Sequence, residues 1–106
     1  MGLFDFLRGP DMQSGLETMR NTPRALLVDV RTPEEYRAGR IPGSVNVPLQ
    51  SLDRISGKVD NKDRPLFVYC QSGGRSRQAV AMLTNMGYTN VTNLGGIAAY
   101  RGKVER

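Results

Sequence analysis

Histidine and tryptophan are absent from this chain, and cysteine occurs once, at position 70. Each absence closes off chemistry. A single thiol forms no internal disulfide and no multi-cysteine metal site. Without histidine there is no Cys–His or Ser–His–Asp catalytic unit and no imidazole-ligated metal. Any catalysis must run without an imidazole base, and neither metal nor cofactor is expected. Long hydrophobic runs are missing too: none approaches the roughly 18–20 residues that span a bilayer. The opening MGLFDFLRG is apolar but brief, contains Asp5 and lacks a small-residue cleavage site, which makes it a poor secretory signal. Phe6 in place of Ser or Thr breaks the myristoylation pattern that Gly2 begins. The expectation is a cytoplasmic protein without stable membrane anchoring.

What is present suits one globular domain. The chain has 106 residues, 39% of them hydrophobic, enough for a single modest core. The 15 Lys+Arg against 10 Asp+Glu leave a net charge of +5, which favours anionic partners. Those basic residues are scattered and accompany no nucleic-acid-binding motif. A small anionic substrate is therefore expected, and nucleic acid is not.

Residues 1–12 read as an N-terminal appendage, an added strand or helix, and 13–104 as the domain. Leu3, Phe4 and Leu7 share a helical face, which is expected to cover one side of a sheet. Ser14 and Glu17 form an S-x-x-E capping pattern that predicts a short helix over 14–20. ALLVDV, 25–30, is apolar on both faces, as in a buried parallel strand. TPEEYRAG follows, with Thr32 as N-cap, Pro33 at the first helical position and Glu35 completing a capping box. This predicts a helix over 33–38 with Gly39 as its left-handed stop. A small strand around 45–47 lies between Pro42 and Pro48, and a short helix over 49–56 follows it. PLFVYC, 65–70, is the second strongly apolar strand. Ala79, Val80, Met82, Leu83 and Met86 then recur at helical spacing until Gly87. A last strand is expected over 91–94 and a small helix near 97–101. Strand alternating with helix indicates an α/β layer on a parallel sheet. Ligands of such sheets bind at the carboxyl ends of the strands, which is where Cys70 falls.

The segment YCQSGGRSRQAV, 69–80, concentrates the chemistry. Two glycines allow the backbone to curl so that successive amides point inward and form an anion-binding nest. The helix that follows adds the positive end of its dipole. A thiol in that field is stabilised as thiolate, with a pKa that falls from about 8.5 to roughly 3.5–7.5. Arg75, and Arg77 if it reaches the site, supply fixed positive charge. Taken alone, a cysteine after an apolar strand is most often a small buried hydrophobe, and a Gly-Gly pair a plain turn. The ordered combination of strand, Cys, Gly-Gly, Arg-Ser and helix favours a nucleophile inside an anion cradle. That reading expects the sulfur to be ionised and within reach of solvent.

These residues resemble the rhodanese-like sulfurtransferases in their single-domain form. The likeness runs over about residues 14–101. LLVDVRTPEEYRAGRIPGSVNVPL is similar to the family's Asp-x-Arg segment, CQSGGRS to its active loop and LGGIAAY to its closing Gly-Gly segment. The resemblance implies a three-layer α/β/α fold with a mostly parallel five-stranded sheet. It implies transfer of a sulfane sulfur from thiosulfate or a persulfide, through a Cys70 persulfide, to cyanide, a thiol or a partner protein. Gln71, Ser72, Gly73, Gly74, Arg75 and Ser76 map onto the loop, their backbone amides binding the anion. Arg75 is expected either to contact the donor's oxyanion or to brace the loop through a carboxylate. Asp29 and Arg31 map onto Asp-x-Arg and are expected to pair structurally, and Tyr36 belongs to the core. Arg40 stands where the family usually has His, and Tyr100 where Trp is common. With one cysteine, the sulfur acceptor must come from outside the chain.

Two other readings stand beside this one. Cysteine phosphatases and arsenate reductases share the fold but need a C-x5-R loop, whereas Cys70 to Arg75 is C-x4-R and no acid lies between Cys70 and Ser76. A non-catalytic or partner-dedicated sulfur-carrying module is the other, since fold alone is no evidence of activity. The oligomeric state is left open.

Overall fold

A computed structural model describes the chain over residues 11–106. The elements run α1 (Met12–Arg20), β1 (Leu26–Asp29), α2 (Pro33–Ala38), β2 (Val45–Asn46), a 3-10 segment (Leu49–Gly57), β3 (Leu66–Cys70), α3 (Gly74–Asn85), β4 (Val91–Gly96) and a 3-10 turn (Ile97–Ala99). The strands pair in the order β2-β1-β3-β4, all parallel. This is the α/β layer that alternating strands and helices predict. Four strands occur among the described residues where five were expected, because the described chain ahead of β1 is helical. The appendage expected over 1–12 lies outside the described residues except for Asp11 and Met12, which open α1. So does the expectation for Leu3, Phe4 and Leu7.

Side-chain alternation along each strand splits the core into two layers. Leu66, Val68 and Cys70 of β3 join Val28, Val30, Leu52, Ile55, Ala79 and Leu83 on the face covered by α3 and the 3-10 segment. Phe67 and Tyr69 point the other way, against Leu27, Ile41, Leu94 and the Met12 and Leu16 of α1. Cys70 therefore descends from its strand toward α3, the helix that follows it in sequence.

Two local expectations are corrected. Helix α1 does not start at a Ser14–Glu17 box. Asp11 is its N-cap, accepting from Gln13 N at 3.2 Å, and Ser14 Oγ donates to the same carboxylate at 2.7 Å. Aspartate caps as well as serine does, and the earlier start buries Met12 one turn before Leu16. Gly39 is not a left-handed stop: its φ of 160° and ψ of 132° are extended. That conformation aims Gly39 O at Arg31 Nη2, 2.7 Å away. The Thr32–Glu35 capping box and Pro33 at the start of α2 are as the sequence predicts.

Candidate active site

Strand β3 delivers Cys70 to the carboxyl edge of the sheet, and the chain turns at once into α3. Gly73 makes the turn with φ +107°, a region that disfavours any residue with a Cβ. As a result Gly73 N–H points back and donates to Cys70 Sγ at 3.0 Å. Ser76, fully buried one turn into α3, holds its hydroxyl 3.5 Å from Sγ. The same hydroxyl lies 3.0 Å from Gly73 O and 3.4 Å from Gly95 O. It has one hydrogen, so it can donate to the sulfur when that is anionic and to a carbonyl when it is not.

Burial pushes the Cys70 thiol up. The Ser76 hydroxyl and the amides of Ser76, Gly73 and Ser72 pull it down and prevail, leaving the thiol below its ordinary value. In one respect the geometry departs from expectation: Cys70 is only 1% exposed. The side chain hangs beneath its own loop on the α3 face, so the loop that supplies the amides also covers the sulfur. The amides nevertheless converge on it.

Arg75 does not stand free. Its Nη1 and Nη2 donate to Glu35 Oε1 and Oε2 at 2.7 and 2.9 Å, a forked pair across 40 residues of sequence. Glu35 is also the capping carboxylate of α2, accepting from Thr32 N at 2.9 Å. The Arg75 guanidinium holds the Glu35 carboxyl well down, at about 2, against a smaller opposing effect of burial. The loop that follows Cys70 is thereby clamped to α2. Its signal in the sequence was absorbed by the capping box, which accounted for Glu35 without suggesting a second partner.

Asp29 and Arg31 form a second brace. Arg31 Nη2 donates to Asp29 Oδ2 at 2.7 Å and Nε lies 3.0 Å from the same oxygen, with Asp29 fully buried and Arg31 4% exposed. Burial opposes the guanidinium charge, but Asp29 more than compensates and holds Arg31 protonated. Arg31 Nη1 reaches Gln71 Oε1 at 3.3 Å, tying the loop's first residue to β1. Below it, the Tyr69 ring centroid is 5.6 Å away. Asn46, which sequence reasoning passed over, donates to both Asp29 O and Arg31 O at 3.0 and 2.9 Å and fixes the turn that carries Arg31.

The closing Gly-Gly segment has a steric purpose. A bulge between Val68 and Tyr69 shifts the register so that Cys70 pairs with Gly96. A Cβ on Gly96 would strike Gln71 O and lie 2.6 Å from Ser72 Cα, so only glycine lets β4 pass this close beneath the loop. Ala98 N in turn donates to Gln71 O at 3.2 Å. Gly74 faces open space, and Gln71 and Ser72 are exposed. Arg77 is exposed on α3, while Arg101 lines a cavity with Gln13 and Glu17 of α1, on the other side of the sheet. Arg40 stacks on Tyr36 at 4.6 Å and pairs with Glu105 at 3.3 Å; Tyr100 donates from its hydroxyl to Lys103 O.

A cysteine with depressed pKa, ringed by main-chain donors at a strand-to-helix turn, is the equipment of an enzyme that carries a group on sulfur. The comparisons agree. The family model for the rhodanese-like domain matches residues 12–103. The thiosulfate sulfurtransferase PspE of Escherichia coli is 42% identical over 71 residues, 66% of this chain and 68% of that one. The human thiosulfate:glutathione sulfurtransferase is 34% identical over 104 residues, 86% of this chain and 89% of that one. A solved structure described as rhodanese with anions from E. coli superposes with a TM-score of 0.72 at 36% identity, covering 77% of this chain and 98% of its own. The chain belongs to the rhodanese-like domain family, and its activity class is sulfur transfer. No helix among the described residues is long and apolar enough to cross a membrane.

Proposed function

We propose that this protein transfers the sulfane sulfur of thiosulfate, or of a persulfide, to a thiophilic acceptor through a persulfide on Cys70. The Cys70 thiolate attacks the outer sulfur of thiosulfate. A new Sγ–S bond forms as the donor's S–S bond breaks, and sulfite departs with the electron pair. An acceptor nucleophile then attacks the outer sulfur of the persulfide, the Sγ–S bond breaks, and Cys70 leaves as thiolate. Neither step needs a histidine, because the donors around Cys70 lower its thiol below the ordinary value and so favour the thiolate, and sulfite is a competent leaving group.

The observation that carries this reading is the Gly73 amide at 3.0 Å from Sγ, backed by the Ser76 hydroxyl. These donors favour an anion on sulfur in both the resting and the loaded state. The same loop serves a phosphatase poorly. A phosphate-binding arginine must be free to fork onto the phosphoryl oxygens, and here both forks of Arg75 are held by Glu35. The amides of Gln71 through Ser76 are then the donors left for the anion, with Arg75, Asp29 and Arg31 bracing the loop that presents them.

The test is steady-state transfer from thiosulfate to cyanide, read as thiocyanate. The wild type is expected to turn over and Cys70→Ser to show none while keeping its unfolding temperature. Turnover retained in Cys70→Ser would refute the mechanism.

A further inference from the structure

Both forks of Arg75 are held by Glu35, so the loop's arginine is not free to bind the oxygens of a sulfur donor. Arg31 is the other guanidinium that touches the loop, and its nitrogens are committed as well. Nε and Nη2 face Asp29, and Nη2 also donates to Gly39 O at 2.7 Å. The remaining nitrogen, Nη1, donates to Gln71 Oε1 at 3.3 Å. Both Asp29 and Arg31 are buried, so neither charge of this pair is presented to a molecule arriving from solvent.

The contact with Gln71 decides what that side chain can offer. A guanidinium only donates, so the amide must turn its oxygen toward Arg31 and its two N–H bonds elsewhere. Nε2 donates to no group among the described residues, and Gln71 is exposed. The residue is also held through its backbone, since Gln71 O accepts from Ala98 N at 3.2 Å. Its amide is therefore fixed in one sense, with donors free, on the residue next to Cys70. Burial of Cys70 adds a second constraint. With the side chain 1% exposed beneath the loop, the part of thiosulfate that reaches Sγ is its outer sulfur. The bulkier sulfonate stays on the solvent side, where Gln71 is.

The geometry points to the Gln71 side-chain amide, set by Arg31, as the group that binds the sulfonate oxygens of thiosulfate and makes the protein favour this donor over persulfides without oxygen. This deepens the sulfur-transfer reading and rests on it. Arg31 acts through Gln71 and is a positioning residue. As the Sγ–S bond forms, the donor's S–S bond breaks and its electron pair leaves with sulfite. Charge grows on the oxygens that Nε2 faces, so its hydrogen bonds strengthen toward the transition state. No proton moves at Gln71. A donor such as hydrodisulfide loads the same cysteine and releases hydrosulfide, which has no oxygen to accept from Nε2.

The experiment measures the second-order rate constant for adding one sulfur to the protein, by quenched intact-mass spectrometry, with thiosulfate and with hydrodisulfide. The readout is the ratio of the two constants, because damage to the loop or to Cys70 lowers both and leaves the ratio alone. Gln71→Met keeps the length of the side chain and removes its donors. Gln71→Glu keeps an oxygen for Arg31 and puts a second oxygen where Nε2 stands, so it removes the donors without loosening the loop. The thiosulfate-to-hydrodisulfide ratio is expected to fall about tenfold or more in Gln71→Met, as loss of a hydrogen bond to a charged group implies, and at least as far in Gln71→Glu. A ratio within about twofold of wild type in both variants overturns the assignment. A fall in Gln71→Met alone also overturns it, since the side chain then serves only as an anchor for Arg31. Wild type that loads from hydrodisulfide but not from thiosulfate overturns it while leaving sulfur transfer standing. Absence of added sulfur from either donor removes the sulfur-transfer reading itself.

Discussion

Replacing Glu35 with glutamine removes the charge that holds Arg75 but keeps a side chain able to complete the helix cap at Thr32. The fall of the Glu35 carboxyl from 4.5 to about 2 corresponds to at most about 3 kcal/mol of preference for the charged form in the folded state. The pair is about one-third exposed, with side chains at 35% and 32%, and solvent screening reduces this to roughly 1–2 kcal/mol of stability. A carboxyl lowered by folding contributes fully above its unfolded value, and the contribution disappears as pH falls through the folded one. The window is therefore pH 4.5 down to about 2. Thermal unfolding at pH 7 should place Glu35→Gln below wild type by on the order of 5–10 °C for a domain of this size. Repeating the comparison at steps toward pH 2 should bring the two curves together. Coincident unfolding at pH 7, or a gap that persists unchanged to pH 2, would refute the idea that this ion pair clamps the loop.

Other consequences follow from the same contacts. The alkylation rate of Cys70 with iodoacetamide, measured against pH, should show a midpoint below that of a free cysteine at about 8.5. Ser76→Ala should move that midpoint upward by removing the strongest pull toward the thiolate. In Gly96→Ala the new methyl meets loop backbone that cannot rotate away, so a loss of about 1–3 kcal/mol in urea unfolding is expected, together with slowed sulfur transfer. Arg31→Met would strand Asp29, fully buried, without its cation, and denaturant unfolding should register a cost of about 3–5 kcal/mol.

The parts of this molecule that sequence reveals are those decided by neighbours in the chain. Thr32, Pro33 and Glu35 specify the start of α2 within four residues, and the apolar runs ending at Asp29 and Cys70 declare buried parallel strands. The loop from Cys70 to Ser76 is likewise self-contained: its glycines, its helix start and its thiol are contiguous. What escaped reading depends on residues brought together by folding. Glu35 and Arg75 are 40 positions apart, and nothing in either segment announces the other. Asn46 belongs to the short strand that the sequence predicts, and the part that escapes the pattern is its side-chain amide, which secures the turn at Arg31. The depth of Cys70 follows from the face β3 turns toward α3, which strand periodicity alone does not orient. Gly39 fits the pattern of a helix stop, but the demand of Arg31 for a carbonyl acceptor draws it into extended backbone instead.

The central proposal is that the Cys70 sulfur accepts and releases another sulfur atom. Intact-mass spectrometry of the protein after brief exposure to thiosulfate addresses this without any coupled assay. Wild type should gain the mass of a single sulfur, lose it again on addition of cyanide, and Cys70→Ser should gain nothing. An unmodified wild-type mass at neutral pH, or the same adduct on Cys70→Ser, would contradict the account.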